Sequence, residues 1–248
     1  MFRWFKASCP VDPAAKAWIE DRLQWLNEQF ENSAFTDKPV VLPTPEFFPD
    51  PYDTSKNSVR RLLDRVCEYM GVAPSLISIK KFTCPQNTWL VNESGQPMWS
   101  AAGGTYEEGR RKFIISINSA ELQEPMGLVG TLAHELSHFR LLGEGRITHD
   151  IFDNELLTDL TAVFHGFGIF LANSPRHWDS DYSQWPGTAI KKPEYMTPPM
   201  FGYALAHLAW HRNEASPQWA KYLRLAARTN MKQGLRFLQQ TGNSTFNP

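Results

Sequence analysis

The stretch Thr131-Leu132-Ala133-His134-Glu135-Leu136-Ser137-His138-Phe139 sets two histidines four positions apart, with a glutamate directly after the first. The surrounding run is apolar and has no proline between Met126 and Leu142, so it reads as a helix. Residues four apart on a helix share a face and lie about 6 Å apart along its axis, so both imidazoles can reach one metal ion. Glu135 projects about a third of a turn away, beside that ion, where a carboxylate can take a proton from a metal-bound water. This is the geometry of zinc-assisted hydrolysis. The same residue types also occur on partly buried helix faces with satisfied side chains, so the motif needs its context.

The context comes from Asp153-Asn154-Glu155-Leu156-Leu157-Thr158-Asp159, which opens a second helical stretch running to about residue 172. Glu155 and Asp159 are one turn apart and share a face. One carboxylate can therefore bind a metal while the other holds a ligating histidine by its free N–H. A His-Glu-x-x-His helix followed by a second helix with Asn-Glu-x-x-Thr-Asp resembles the gluzincin metallopeptidases, the clan of thermolysin. The resemblance implies one Zn2+ bound by His134, His138 and Glu155, with Glu135 as general base and Asp159 as the partner of a ligand histidine.

The resemblance also implies a zincin-like fold of class α+β, with a small twisted sheet ahead of the active-site helix and a mostly helical C-terminal part. In such enzymes an edge strand holds an extended peptide. The candidate strand here is Met98–Ala102, with Trp99, Ser100 and Ala101 as the substrate edge-strand residues and Lys112–Asn118 as its pairing partner. A Tyr or His from the later part of the chain usually stabilises the oxyanion, which makes Tyr195 and His207 candidates beside Tyr203 and His177. Spacing sets none of these apart, and each also reads as a packed or surface ring. The matching region covers about residues 98–172, and the connection from His138 to Glu155 is shorter than in thermolysin. With no secretory signal, and with a C-terminal part too short for thermolysin's second domain, the chain resembles a compact intracellular relative.

Other third ligands fit less well. A metzincin needs glycine three residues after the second histidine and a His or Asp six after it, but Leu141 and Glu144 stand there. His149 lies in a loop with nothing nearby to fix its ring, and Asp150 and Asp153 read as loop and cap residues.

The elements that must position these groups follow in order. Asp12-Pro13 opens a helix to about Phe30, with Trp18, Leu23, Trp25, Leu26 and Phe30 as its apolar stripe. Five prolines between Pro39 and Pro51 make an extended connector, pinned by Phe47 and Phe48. A second helix spans about Thr54 to Met70 and stops at Gly71. Leu76–Phe82, Thr88–Val91, Pro97–Ala102 and Lys112–Asn118 read as strands, with Gly103-Gly104 and Gly109 in the turns of the last hairpin. A last clear helix covers Thr197–Arg212. The expected organisation is one zincin-like domain over residues 1–248, with residues 1–73 as a helical extension and residues 74–248 as the metallopeptidase core.

The chain's 248 residues, 42% of them hydrophobic, can bury a full core. A formal net charge of −1 argues against a protein dominated by nucleic-acid or membrane electrostatics, so that any such contact would be local. Cys9, Cys67 and Cys84 form no C-x-x-C pair and no disulfide framework, and no apolar run is long enough to span a bilayer, so the expected location is the cytoplasm. From Ala215 onward there is no acidic residue, while Lys221, Arg224, Arg228, Lys232 and Arg236 recur at near-helical spacing. That pattern reads first as a solvated helix face, and otherwise as a site for an acidic partner, RNA or a membrane surface. The expected function is zinc-dependent hydrolysis of peptide or protein substrates. The competing classes are a non-catalytic zinc-stabilised interaction module and a basic-tailed nucleic-acid-binding or regulatory protein.

Overall fold

The computed structural model describes residues 7–30, 34–83, 90–91, 97–98, 102–107, 112–174 and 183–248. The class is α+β. In chain order the elements are α1 (Pro13–Gln29), α2 (Ala34–Asp37), α3 (Lys56–Met70), β1 (Ile77–Phe82), β2 (Leu90–Val91), β3 (Pro97–Met98), β4 (Ala102–Glu107), β5 (Lys112–Asn118), α4 (Pro125–His138), α5 (Asn154–Phe164), α6 (Gly168–Asn173), α7 (Pro198–His211) and α8 (Leu225–Thr241). Two compact units form, Thr44–Thr148 and a second made of Met1–Pro43 with His149–Pro248.

In the unit Thr44–Thr148, Ser55 caps α3 by accepting the Ser58 N–H at 3.2 Å, and Gly71 ends the helix in the left-handed region. Val59, Leu62, Leu63, Val66, Cys67 and Met70 form its buried face. Arg60 fixes the way into the sheet by donating to the Pro74 and Ile77 carbonyls at 2.8 and 2.9 Å. Phe47 and Phe48 of the proline-rich connector pack on Tyr69, whose hydroxyl donates to the Phe47 carbonyl.

The sheet order is β1-β5-β4, with β1 parallel and β4 antiparallel to β5. Phe113, Ile115 and Ile117 alternate inward along β5. Of the strand expected at Pro97–Ala102, the described residues fall in two pairings. Pro97–Met98 pairs with Leu90–Val91, and the partner of Lys112–Asn118 is Ala102–Glu107. Gly103 and Gly104 therefore stand inside β4, opposite Ser116 and Ile115, and not in a turn. Pairing across the short 108–111 connection sets this register, which local strand propensity does not report. Trp99, Ser100, Ala101, His177 and Cys84 lie outside the described residues.

Helix α4 is apolar nearly all round, with Leu128, Val129, Leu132, Ala133 and Leu136 fully buried, as a core helix should be. A π-helical turn, Phe139–Gly143, continues it past His138, and Phe139 meets Phe113 of β5 edge-on.

In the other unit Asp12 caps α1, accepting the Ala14 and Ala15 N–H groups. The helix expected over Asp153–Ala172 is two helices, broken at His165–Phe167. Gly166 has φ +92, a Cβ there would sit 2.4 Å from the Pro39 carbonyl oxygen, and its own carbonyl accepts the Val41 N–H. Only glycine permits that approach. Helices α7 and α8 also meet closely at Gly202, where a Cβ would come within 2.7 Å of the Met231 nitrogen.

A buried carboxylate, Glu20, joins α1, α7 and the chain's last residues. It accepts from Tyr203 Oη at 2.7 Å, Lys16 Nζ at 2.9 Å, and Thr245 N and Oγ1 at 3.1 and 3.0 Å, and His207 Nε2 lies 3.5 Å away. Burial alone would raise its pKa, but His207, Tyr203, Lys16 and Thr245 outweigh burial and hold the carboxyl well below its usual range. His207, fully buried, is pushed down by burial against the opposing pull of Glu20. His211, packed on Phe246, is pushed down to about 4 by burial and by its neighbour His207.

Between pH 6.5, the ordinary imidazole value, and about 4, the unfolded state binds more protons at His211 than the folded state does. Its contribution is therefore complete above pH 6.5 and is lost as pH falls through about 4. His211→Asn should flatten the pH dependence of stability across that window, measured from denaturant midpoints. An unchanged slope would remove His211 as its source.

Candidate metal centre

The helical period of α4 brings the rings of His134 and His138 to 4.9 Å between centroids, edge to face at 89°. His134 is buried and His138 half-exposed. Ser137, between them, bonds back to the Ala133 carbonyl at 2.8 Å and so does not compete for the imidazoles. Glu135 is 1% exposed, and its Oε2 is buried with no hydrogen-bond partner among the described residues. An unsatisfied buried carboxylate oxygen is costly and signals a water, ion or ligand that completes it.

Helix α5 carries the acidic pair. Asp153 stands at the N-cap position, but its side chain makes no cap bond. It is buried instead in an ion pair with Arg22, whose Nε and Nη2 donate at 2.7 and 3.1 Å, and it accepts Trp18 Nε1 at 2.7 Å. The first turn of α5, from which Glu155 projects, is thus tied to α1. One turn on, Asp159 is fully buried, and its Oδ2 accepts the Met196 backbone N–H at 3.0 Å. Asp159 thereby anchors the segment ahead of α7.

One ligand atom each from His134, His138 and Glu155 lies within 4.8 Å of the others, and this is the one such group of metal-ligating side chains among the described residues. Two imidazole nitrogens and a carboxylate oxygen are a donor set suited to zinc, whose catalytic sites take water as the fourth ligand. The rival Glu144 is engaged elsewhere, pairing with Arg140 at 3.1 Å and with Arg146.

Of the candidates for oxyanion stabilisation, His207 belongs to the core cluster around Glu20. Its burial accounts for it without a role at the metal. Tyr195 lies directly before Met196, on the segment that Asp159 holds. Glu194 stands in no motif and at no spacing that singles it out. Partial burial and then the charge of Glu155 push its carboxyl above the usual range, which puts a second acid near Glu155. Lys192, buried in the same segment, is pushed down by burial and pulled back by Asp153 and Glu194. No motif spacing announces this segment, because the chain folds it back onto α5 from more than thirty residues away.

No family model matches the chain, and neither a curated protein nor a solved structure matches it.

Asp159→Ala should weaken zinc binding by roughly 10- to 100-fold, measured by chelator competition, while Glu155→Ala should weaken it further. Equal losses in the two variants would mean that ligand and supporting roles are divided differently.

Proposed function

We propose that the chain is a zinc-dependent hydrolase of zincin-like fold, a metallopeptidase acting on peptide bonds in the cytoplasm. The observation that carries this reading is the convergence of His134, His138 and Glu155 ligand atoms within 4.8 Å. A zinc ion held by these side chains would acidify a bound water and polarise a carbonyl oxygen. Glu135, buried and unpartnered at Oε2, takes the proton of the attacking water and returns it to the leaving amine. Asp159, one turn from Glu155, orients a ligand histidine as well as the Met196 backbone. Of the oxyanion candidates among the described residues Tyr195 remains, since packing accounts for His207 and Tyr203 is bound to Glu20 in the core.

The sheet supports a peptide as substrate. Strand β4 is the outer strand of β1-β5-β4 among the described residues, and its free edge can accept an extended chain by strand addition. The free thiols Cys9 and Cys67 suit a reducing compartment, the latter pushed up to about 12 by burial. Among the described residues no helix is long and apolar enough to cross a membrane.

Glu135→Gln should retain zinc and the folded state, by metal analysis and circular dichroism, and lose peptide hydrolysis by roughly 10²-fold or more in a quenched-peptide assay. Hydrolysis within about tenfold of the parent would overturn the general-base role. A metal-stabilised interaction module, in contrast, would show no hydrolysis in the parent either.

A further inference from the structure

The C-terminal helix α8 turns Ala227, Met231, Gly234, Leu235, Phe237 and Leu238 inward. Arg224 at its N-cap and Arg228, Lys232 and Arg236 on its outer face are four cations at successive i, i+4 positions, all exposed but Arg228, which is half-buried. Elsewhere every arginine among the described residues has an acceptor. Arg22 bonds Asp153, Arg60 bonds Asp64 and two carbonyls, Arg61 and Arg65 pair with Asp50, Arg140 and Arg146 share Glu144, and Arg212 bonds the Phe35 and Lys38 carbonyls. The side chains of Arg224, Arg228, Lys232 and Arg236 have no carboxylate or carbonyl partner among the described residues. Like charges at i, i+4 repel and weaken a helix by about 0.2–0.5 kcal/mol per pair. A face that was merely solvated would be expected to interleave acids with these cations, yet none occurs after Glu214.

We infer that this ridge docks an extended acidic polypeptide segment. Four residues of helix rise about 6 Å, and the i±4n row is inclined about 26° to the axis, so successive cations stand about 6–7 Å apart along the ridge. Side chains on one face of an extended chain repeat every two residues, about 6.5–7 Å. A segment with acids at every second position therefore meets each cation in turn, four acids over seven residues. Two other polyanions fit less well. A single nucleic-acid strand is held by aromatic platforms as well as cations, and the one aromatic of α8, Phe237, is buried. A membrane surface needs an exposed apolar face, and on α8 only Leu225 is a large exposed hydrophobic, the rest of the apolar face being packed inward. The inference stands on α8 and is independent of the metal centre.

The test is fluorescence anisotropy of the full chain with a labelled peptide alternating Glu and Ser, against the same peptide with Gln for Glu. The Glu peptide should bind at about 50 mM salt, weaken steeply by about 300 mM, and lose roughly tenfold or more in affinity to R224Q/R228Q/K232Q/R236Q. The milder pair R228Q/K232Q should lie between, and R228E/K232E should gain affinity for a peptide alternating Lys and Ser. All are surface changes, with folding checked by circular dichroism. The inference is overturned if the Glu peptide fails to bind at low salt, or binds parent and variants equally. It is also overturned if a uridine oligonucleotide or phosphatidylserine vesicles bind the ridge more tightly than the peptide does.

Discussion

The ion pair of Asp153 with Arg22 is the constraint on which the start of helix α5 depends. A carboxylate with no solvent exposure has to be paired and hydrogen-bonded or it opposes folding, and Asp153 takes three bonds from Arg22 and Trp18 of α1. Removing one partner from such a buried pair typically costs about 3–5 kcal/mol. The pairing sits immediately before α5, so the orientation of the first turn, and of Glu155 within it, follows from contacts made by α1. Asp159 extends the same logic by one turn, holding the Met196 amide and with it the segment that carries Glu194 and Tyr195.

The buried carboxylates differ in what completes them. Glu20 and Asp153 are saturated by tyrosine, lysine, arginine, tryptophan and backbone donors, and such groups fix geometry. Glu135 is buried to the same degree, but its Oε2 lacks a partner among the described residues. Of the buried acids Glu20, Glu135, Asp153 and Asp159, Glu135 is the one with an oxygen that lacks a partner among the described residues, and it stands beside His134 and His138 in the chain.

A similar contrast holds for the cations. Arginines in the rest of the described chain act as braces between elements, reaching carbonyls or carboxylates. Those of α8 brace nothing, and their helix is held instead by its apolar face and by close packing at Gly202 and Gly234. Burial therefore fixes the helix without its charges, which leaves the outer face free of any role in the fold.

The sequence by itself determined what depends on local spacing. The cap of α1, the stop of α3 at Gly71, and the shared face of His134 and His138 follow from residues within a turn or two of one another, where backbone geometry is nearly fixed. The α+β class was legible for the same reason. What the sequence could not determine are the pairings between distant residues. The partner of β5 proved to be Ala102–Glu107 because register is settled by pairing across a hairpin, and propensity is blind to that. The break at Gly166 arises from a carbonyl at Pro39, and the fate of Asp153 from an arginine more than a hundred residues earlier. His207 has a ring of the type that could serve a reaction, but it is taken up by Glu20 in the core. Ligand atoms of His134, His138 and Glu155 lie within 4.8 Å of one another, a distance that no local rule fixes for residues seventeen and more positions apart.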